Sequence, residues 1–317
     1  MRRGLLAGLG SAALSLALMG AAPAQAAVAY TVTPAFQTAN LDAQGSADVS
    51  VEITNHTAFD QSFKLTAADF GSLNETGGVA FLGAPTSELS HPYGLVSWLQ
   101  LGSNVVFVPA GEAVTVHASV QNRESLAPGG HYGAILATAV SDDTGQAKNV
   151  APQVGLHAVL SSLILLTKAG GANPDLRLLS QSSSHSVFQL PMKITQRFQN
   201  AGNVHVVPRG IIEIKDPSGR VVARGALNED SVFILPESFR LIPVTLRPVA
   251  HAWVPGRYTI TTVYNYEGID TTKSFTETVW YAGGVLVLVS WLVLVSGVIV
   301  GGWWLWRRRH PQKRAKS

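Results

Sequence analysis

Twenty-seven consecutive residues, Trp280 to Trp306, carry no charge, and this run constrains the chain more than any other feature. A helix crossing the ~30 Å hydrocarbon layer of a bilayer needs about 20 apolar residues, so the run is long enough. Trp280 and Tyr281 stand at one edge, and Trp303, Trp304 and Trp306 at the other. Rings with a polar N–H or O–H favour those two interfaces. Arg307, Arg308, Arg309, Lys313, Arg314 and Lys316 follow at once. Such a cluster stays cytoplasmic, which predicts a single-pass cell-membrane protein with residues 27–279 outside. The basic tail over 307–317 is too short for a domain; it orients the helix and touches anionic lipid.

The N-terminus is also membrane-directed. Arg2 and Arg3 precede an uncharged stretch from Gly4 to Ala22, and Ala24-Gln25-Ala26 supplies small residues at a cleavage site. Residues 1–26 therefore read as a secretory signal peptide, with an uncleaved anchor as the alternative. No longer motif surrounds the arginine pair to suggest twin-arginine export.

These ends change the meaning of the charge. Eight of the 23 basic residues lie in them, leaving 15 against all 20 acidic residues in the exterior part, a formal charge of about −5. A mildly acidic exterior does not favour phosphate backbones, so no nucleic-acid partner is expected. With no Cys there is no disulfide framework and no thiolate metal site.

Residues 27–279 read as β almost throughout. Val49, Val51 and Ile53 alternate with Ser50, Glu52 and Thr54, and Val114, Val116, Ala118 and Val120 with Thr115, His117 and Ser119. Ile212 and Ile214 flank Glu213, while Ile242, Val244 and Leu246 bracket Pro243 and Thr245. Period-2 alternation puts one set on a buried face and the other in water. Asp216-Pro217-Ser218-Gly219 reads as a hairpin turn, with Gly at the positive-φ position. Val154–Thr167 is apolar except for His157, Ser161 and Ser162, and is expected to be a fully buried strand, being too short to span a bilayer. The fold class is all-β: two tandem immunoglobulin-like β-sandwiches followed by one transmembrane α-helix. The predicted boundaries are 27–168 for the first sandwich, 169–174 for a linker, 175–279 for the second and 280–306 for the helix.

The two sandwiches look related. Val108-Pro109-Ala110-Gly111-Glu112 precedes one strand, and Pro128-Gly129-Gly130-His131-Tyr132 opens the next. Leu235-Pro236-Glu237-Ser238 and Pro255-Gly256-Arg257-Tyr258 repeat that arrangement, with the same Pro-to-Pro spacing. Asn55-His56-Thr57 and Asn200-Ala201-Gly202-Asn203 each end an early strand. Pro128, Gly129, Tyr132, Pro255, Gly256 and Tyr258 are thus structural turn residues. Each Tyr ring is expected to pack at a sandwich corner while its hydroxyl reaches a backbone group.

The first sandwich is longer because of Gly71 through Leu95, where Phe81 and Tyr93 are isolated large side chains. Long insertions often carry binding, which makes Phe81 and Tyr93 candidate binding residues. The alternative is a passive loop or an edge hairpin that packs both rings inward.

Leu126-Ala127-Pro128-Gly129-Gly130-His131-Tyr132-Gly133-Ala134-Ile135-Leu136 resembles a signature of bacterial envelope proteins called WxL-interacting proteins. Asn200-Ala201-Gly202-Asn203-Val204-His205-Val206-Val207-Pro208-Arg209-Gly210 resembles a stretch of their second domain. Signal peptide, two immunoglobulin-like domains, one membrane helix and a short basic tail are similar too. The resemblance implies a first domain that binds cell-wall peptidoglycan and a second that binds a partner surface protein or host material. Those family members are often Lys-rich, whereas this chain has few charges.

Catalytic and metal motifs are not found. His56, His91, His117, His131, His157, His185, His205, His251 and His310 are scattered without H-E-x-x-H spacing, and read as surface or turn residues rather than ligands. Asp142-Asp143 with Asn228-Glu229-Asp230 could bind calcium only if brought together, and six or more oxygens cannot be assembled. There is no G-x-S-x-G elbow or P-loop, so no enzyme activity and no cofactor are expected. Asn55-His56-Thr57 and Asn74-Glu75-Thr76 match the glycosylation pattern, as bacterial coincidences. Gly297 and Gly301 form G-x-x-x-G, which would allow a homodimer through the helix.

The function expected is a membrane-anchored extracellular binder of cell-wall polymer or another surface protein. The alternative is a membrane-tethered chaperone that pairs a strand edge with an incoming polypeptide. Val154–Thr167 is the candidate edge, and a central place in a sheet would exclude it. An envelope hydrolase is the third reading.

Overall fold

The computed structural model describes residues 29–41, 45–82, 92–123, 125–140, 159–183 and 186–309. The expected signal peptide, Asp142-Asp143, His91, His157, His185 and the end of the basic tail lie outside them. The chain is mostly strand, with one long C-terminal helix.

Residues up to 168 supply β1 (Tyr30–Thr33), β2 (Phe36–Leu41), β3 (Ser46–Asn55), β4 (Gln61–Ser72) and β5 (Val79–Leu82). They continue with β6 (Leu99–Leu101), β7 (Val105–Val108), β8 (Ala113–Gln121), β9 (Gly129–Ala139) and β10 (Val159–Lys168). One sheet has the order β1-β3-β8-β6, and its partner β2-β10-β9-β4-β5 with β7 also on β4. The alternating residues of β3 and β8 point inward as their period requires: Val49, Val51, Ile53, Val116, Ala118 and Val120 are buried. They meet Phe63 and Leu65 of β4, Ile135 and Ala137 of β9, and Ile164 and Leu166 of β10.

The later strands are β11 (Leu176–Ser183), β12 (Lys193–Asn200), β13 (Arg209–Lys215) and β14 (Val221–Leu227). After them come β15 (Phe239–Thr245), β16 (Arg247–Pro248), β17 (Gly256–Asn265) and β18 (Lys273–Tyr281). A β11-β12-β15 sheet faces a β16-β14-β13-β17-β18 sheet. Ile194 and Phe198 pack with Ile242 and Val244 over Ile212, Ile214, Tyr258 and Ile260. Each sheet pair is a face-to-face sandwich. Phe63 and Phe198, both fully buried, each contribute about 1.5–3 kcal/mol through burial.

Turn chemistry sets the registers. Asp216 accepts from the Ser218 amide on Oδ1 and from the Gly219 amide on its carbonyl, both at 2.9 Å, and Gly219 takes φ +86°. The Ser218 hydroxyl is the largest cause holding the Asp216 carboxyl below the usual range. Asn55 and Asn200 end β3 and β12, and both are fully buried. Asn55 Nδ2 donates to Phe59 O at 2.7 Å while its Oδ1 accepts from the Thr57 amide at 3.0 Å. Asn200 repeats this with Val204 O at 2.7 Å and the Gly202 amide at 3.0 Å.

The structure departs from the sequence reading at three places. β10 is described from Val159, which is 55% exposed, so the run is not buried along its whole length; Val154–Ala158 lie outside the described residues. Trp280 and Tyr281 belong to β18, where they pair with Arg257 and Gly256 instead of opening the helix. His131 is neither turn nor surface: it sits on β9, 3% exposed, with Gly94 O and Ala127 O 3.0 and 2.8 Å from its ring nitrogens, so a ring N–H finds a backbone acceptor inside.

The helix, α1 (Gly283–Arg309), is the one element among the described residues long and apolar enough to cross a membrane. Gly297 and Gly301 stand one turn apart on it, with open space beside each.

Candidate functional site

β9 and β10 are apolar on consecutive residues because both faces are covered near the joint between the two sheet pairs. Ile164 and Leu166 point into the first sandwich. The opposite face carries Tyr132, Ala134 and Leu136 of β9 beside Leu165 and Leu163 of β10. Leu235 and Phe233 of the second sheet pair cover this face, together with Phe70 of β4. The row then runs outward to Ser161 and the exposed Val159, opposite Leu136 and Thr138. Phe36 of β2, beside Leu163, remains half-exposed with its ring 5.9 Å from that of Phe233.

Among the described residues, the edge beside this row is only partly occupied. β9 pairs with β10 from Val159 to Lys168, but β2 pairs with it only from Leu163 to Lys168. The strand is therefore interior over Leu163–Lys168, which removes that part of the candidate edge from the strand-pairing reading. The Leu163 amide donates to Ala35 O at 2.9 Å on the β2 side. Alternation along a strand then turns the backbone groups of Ser161 and Val159 to that same side, beyond the level at which β2 starts at Phe36. Ser162 is held separately, its hydroxyl donating to Pro34 O at 2.7 Å.

Asn203 joins three segments at the root of the cleft. Its carbonyl accepts from the Gly130 amide at 2.8 Å, and its side chain donates to Gly171 O at 2.9 Å. Its Oδ1 accepts from the Asn173 amide at 2.7 Å. The stretches 126–136 and 200–210 thus face each other. Gly129, at φ +124°, would place any Cβ about 3.1 Å from Asn203, so glycine suits this approach on both counts. Gly256 opens β17 with φ +150°.

The two turn tyrosines are both buried, with different partners. The Tyr258 hydroxyl donates to Val254 O at 2.7 Å. The Tyr132 hydroxyl instead lies 3.5 Å from His205 Nδ1, with the two rings edge-on. Burial pushes the Tyr132 phenol upward and holds the His205 imidazolium down, to about 4. Backbone tightness at Pro128-Gly129 is visible in the sequence, but His205 as its neighbour is not, since the pairing spans 73 residues.

The insertion lies against the second sheet pair. β4 extends to Ser72 and β5 returns along it as an edge hairpin; residues 83–91 lie outside the described set. Phe81 stands opposite Phe70 in this ladder but is 45% exposed, so it is not packed inward. Tyr93 packs near Tyr132, and its hydroxyl donates to Glu237 Oε1 at 2.9 Å. Burial, with that carboxylate second, pushes the Tyr93 phenol up to about 12. Arg197 donates to Glu75 through Nε at 2.8 Å and Nη2 at 2.6 Å, and the Leu241 amide donates to Glu75 O at 2.7 Å. Neither Glu75 nor Arg197 was a sequence candidate, because neither has a motif and they are 122 residues apart. A hollow of about 330 Å³ remains between Phe70, Tyr93, Tyr132, Leu235 and Glu237.

Among the described residues no group of three or more His, Asp or Glu could hold a metal ion. Asn228, one of the calcium candidates, spends its amide on Pro208 O and Val232 O.

No family model matches the chain, and no curated protein does. Among solved structures it is similar to a chain from a chaperone–tip adhesin complex of CFA/I fimbriae biogenesis, at 15% identity and a TM-score of 0.42, over 80% of this chain and 99% of that one. It is similar to the class 5 fimbriae chaperone CfaA at 14% identity and TM-score 0.38, over 78% and 98% of the two chains. A chain of the Acinetobacter baumannii CsuC–CsuE chaperone–tip adhesion subunit complex shares 9% identity at TM-score 0.37, over 78% and 98%.

Proposed function

We propose that this chain is a single-pass membrane protein whose two immunoglobulin-like domains, 27–168 and 175–279, bind another surface polypeptide outside the cell and assist its assembly. The observation that carries this reading is the half-covered edge of β10. Among the described residues, Val159 to Ser162 have a strand neighbour on one side, and Ser161 and Val159 turn backbone groups to the other, beside an apolar row that leads to Phe36 and Leu163. A polypeptide added there would gain main-chain hydrogen bonds from the edge and side-chain burial from the row. The clamped joint suits such a role, because a rigid cleft spares the ordering cost at binding. Kinship with WxL-interacting proteins is supported by the meeting of the two quoted stretches at that joint. Cell-wall polymer is the other partner of this proposal, and Gly297 and Gly301 its route to a dimer.

The test is a photo-reactive side chain at Val159 in the full chain, in intact cells, with Phe59 as the control position, since Phe59 is also exposed. A covalent adduct with another polypeptide from position 159, absent from 59 and weakened by Ser161→Pro, is the expected result. Adducts that glycan digestion removes would replace the polypeptide with wall polymer. Equal labelling from both positions would end the edge-pairing reading.

A further inference from the structure

One end of the second sandwich carries exposed apolar side chains, Trp253 among them with its ring 5.6 Å from that of His251, and α1 leaves from that same end. Tyr281 is still paired with Gly256, and a single residue, Ala282, separates β18 from α1. Ala282 is fixed on both sides: its amide donates to Val187 O at 2.6 Å, and its carbonyl accepts from the Val285 amide at 3.0 Å, in the first helical turn. The sheet and helix are thus coupled without a flexible spacer. The register places the 216–219 hairpin turn, the loop 249–255 and the turn around Val187 at this level. On them Trp253 is 59% and Phe188 57% exposed, and Val187, Val249 and Val254 are exposed as well.

Geometry brings this end to the lipid. The 27-residue helix is roughly 40 Å long against a ~30 Å hydrocarbon layer. Its far end is marked by Trp303, Trp304 and Trp306, with Arg307 and Arg308 stacked over the first two at 4.9 and 3.6 Å. Counting about 20 residues back from Trp306 leaves the first helical turn and Ala282 in the headgroup zone. Trp280, two residues before Ala282 on β18, stands roughly 7 Å from it, within reach of neighbouring large side chains. Aromatic residues with one wet end favour that zone. Exposed Arg257 and Arg220 flank the patch, and Asp216 is internally hydrogen-bonded.

We infer that Trp253, Phe188 and the adjoining valines form a membrane-seating surface, inserted at the headgroup–acyl boundary of the bilayer that α1 spans. This fixes the second sandwich on the membrane and holds the β10 edge outward at a set height. The inference rests on the membrane-anchored part of the proposed function and is independent of the partner bound.

The chain contains no Cys, so single labels need no background removal. The full chain would carry Trp253→Cys, Phe188→Cys or, as control, Phe59→Cys, each with an NBD label, in phosphatidylcholine nanodiscs. We expect nitroxide-bearing lipid to quench labels at 253 and 188 but not at 59. Aqueous iodide should quench them several-fold less than the label at 59. Labels at 253 and 188 as open to iodide as that at 59, in chain that co-elutes with lipid, overturn the seating surface alone. A chain that separates from the nanodiscs overturns the membrane anchor, and the seating surface with it.

Discussion

The carbonyl of Asn203 accepts the amide of Gly130 at 2.8 Å, a main-chain bond that ties the second sheet pair to the start of β9 in the first. The Asn203 side chain adds bonds to Gly171 and Asn173 in the connecting segment. Asn203→Ala keeps the main-chain bond and removes these two, each worth about 0.5–1.5 kcal/mol. The expected result is a small loss of stability with a wider spread of inter-sandwich distances. Double electron–electron resonance between labels at Phe59 and Glu267 reads that spread; an unchanged distribution contradicts the clamp.

Glu75 and Arg197 brace the same joint from its other side. The Arg197 bond holds the Glu75 carboxyl below its ordinary range, so the folded pKa is depressed. The brace is therefore complete above the unfolded carboxylate pKa and is lost as pH falls through the folded one. Glu75→Gln should accelerate exchange of the Leu241 amide, which Glu75 O caps, by a few-fold at neutral pH. Hydrogen-exchange mass spectrometry of this segment checks it, and the difference from wild type should vanish in acid.

His205 gives a larger acid sensitivity. Its folded pKa is near 4 against 6.5 unfolded because burial disfavours the imidazolium. Between these values the unfolded chain binds more protons, so stability is whole above about pH 6.5 and falls as pH drops towards 4. The full loss is about 3 kcal/mol. His205→Phe should flatten denaturation midpoints across this window. A variant with the wild-type slope would place the titration elsewhere.

Asn55 and Asn200 make matching bonds at the ends of β3 and β12. Asn55→Ala and Asn200→Ala each strand buried backbone groups, at about 1–3 kcal/mol for each group left unsatisfied. The two losses should be similar in size, the first in the residues before 168 and the second in those after 175. Segment-resolved hydrogen exchange distinguishes them, and a loss at only one site would deny the equivalence.

Tyr258 and Tyr132 occupy matching turns but differ at the hydroxyl. Tyr258→Phe removes a bond to Val254 O and should lower stability by about 1 kcal/mol. Tyr132→Phe removes only a 3.5 Å approach to His205 and should cost less. Chemical denaturation of the two variants reads the order, and the reverse order would contradict it.

The strand faces were legible where one side is wet. Val49, Val51 and Ile53 alternate with polar residues and are buried as the period demands. β10 was less legible because it is apolar on both faces, one for its own sandwich and one for the joint. That pattern cannot say where β2 starts, and so cannot locate an open edge. Phe81 and Tyr93 were found as large side chains in a long insertion, but their fates differ, one half-exposed and one bonded to Glu237. Trp280 and Tyr281 were read as helix because apolar runs do not mark where a strand ends and a helix begins.

What the sequence alone determined is local: the apolar helix, the period-2 strands, and the glycine and asparagine turns, each fixed by the chemistry of a few neighbouring residues. The tertiary structure decided what lies opposite them. Asn203 on Gly130, Arg197 on Glu75, His205 on Tyr132 and the short edge of β10 all depend on how two sheet pairs dock. Docking is set by shape and burial between residues far apart in the chain, which no spacing along it encodes.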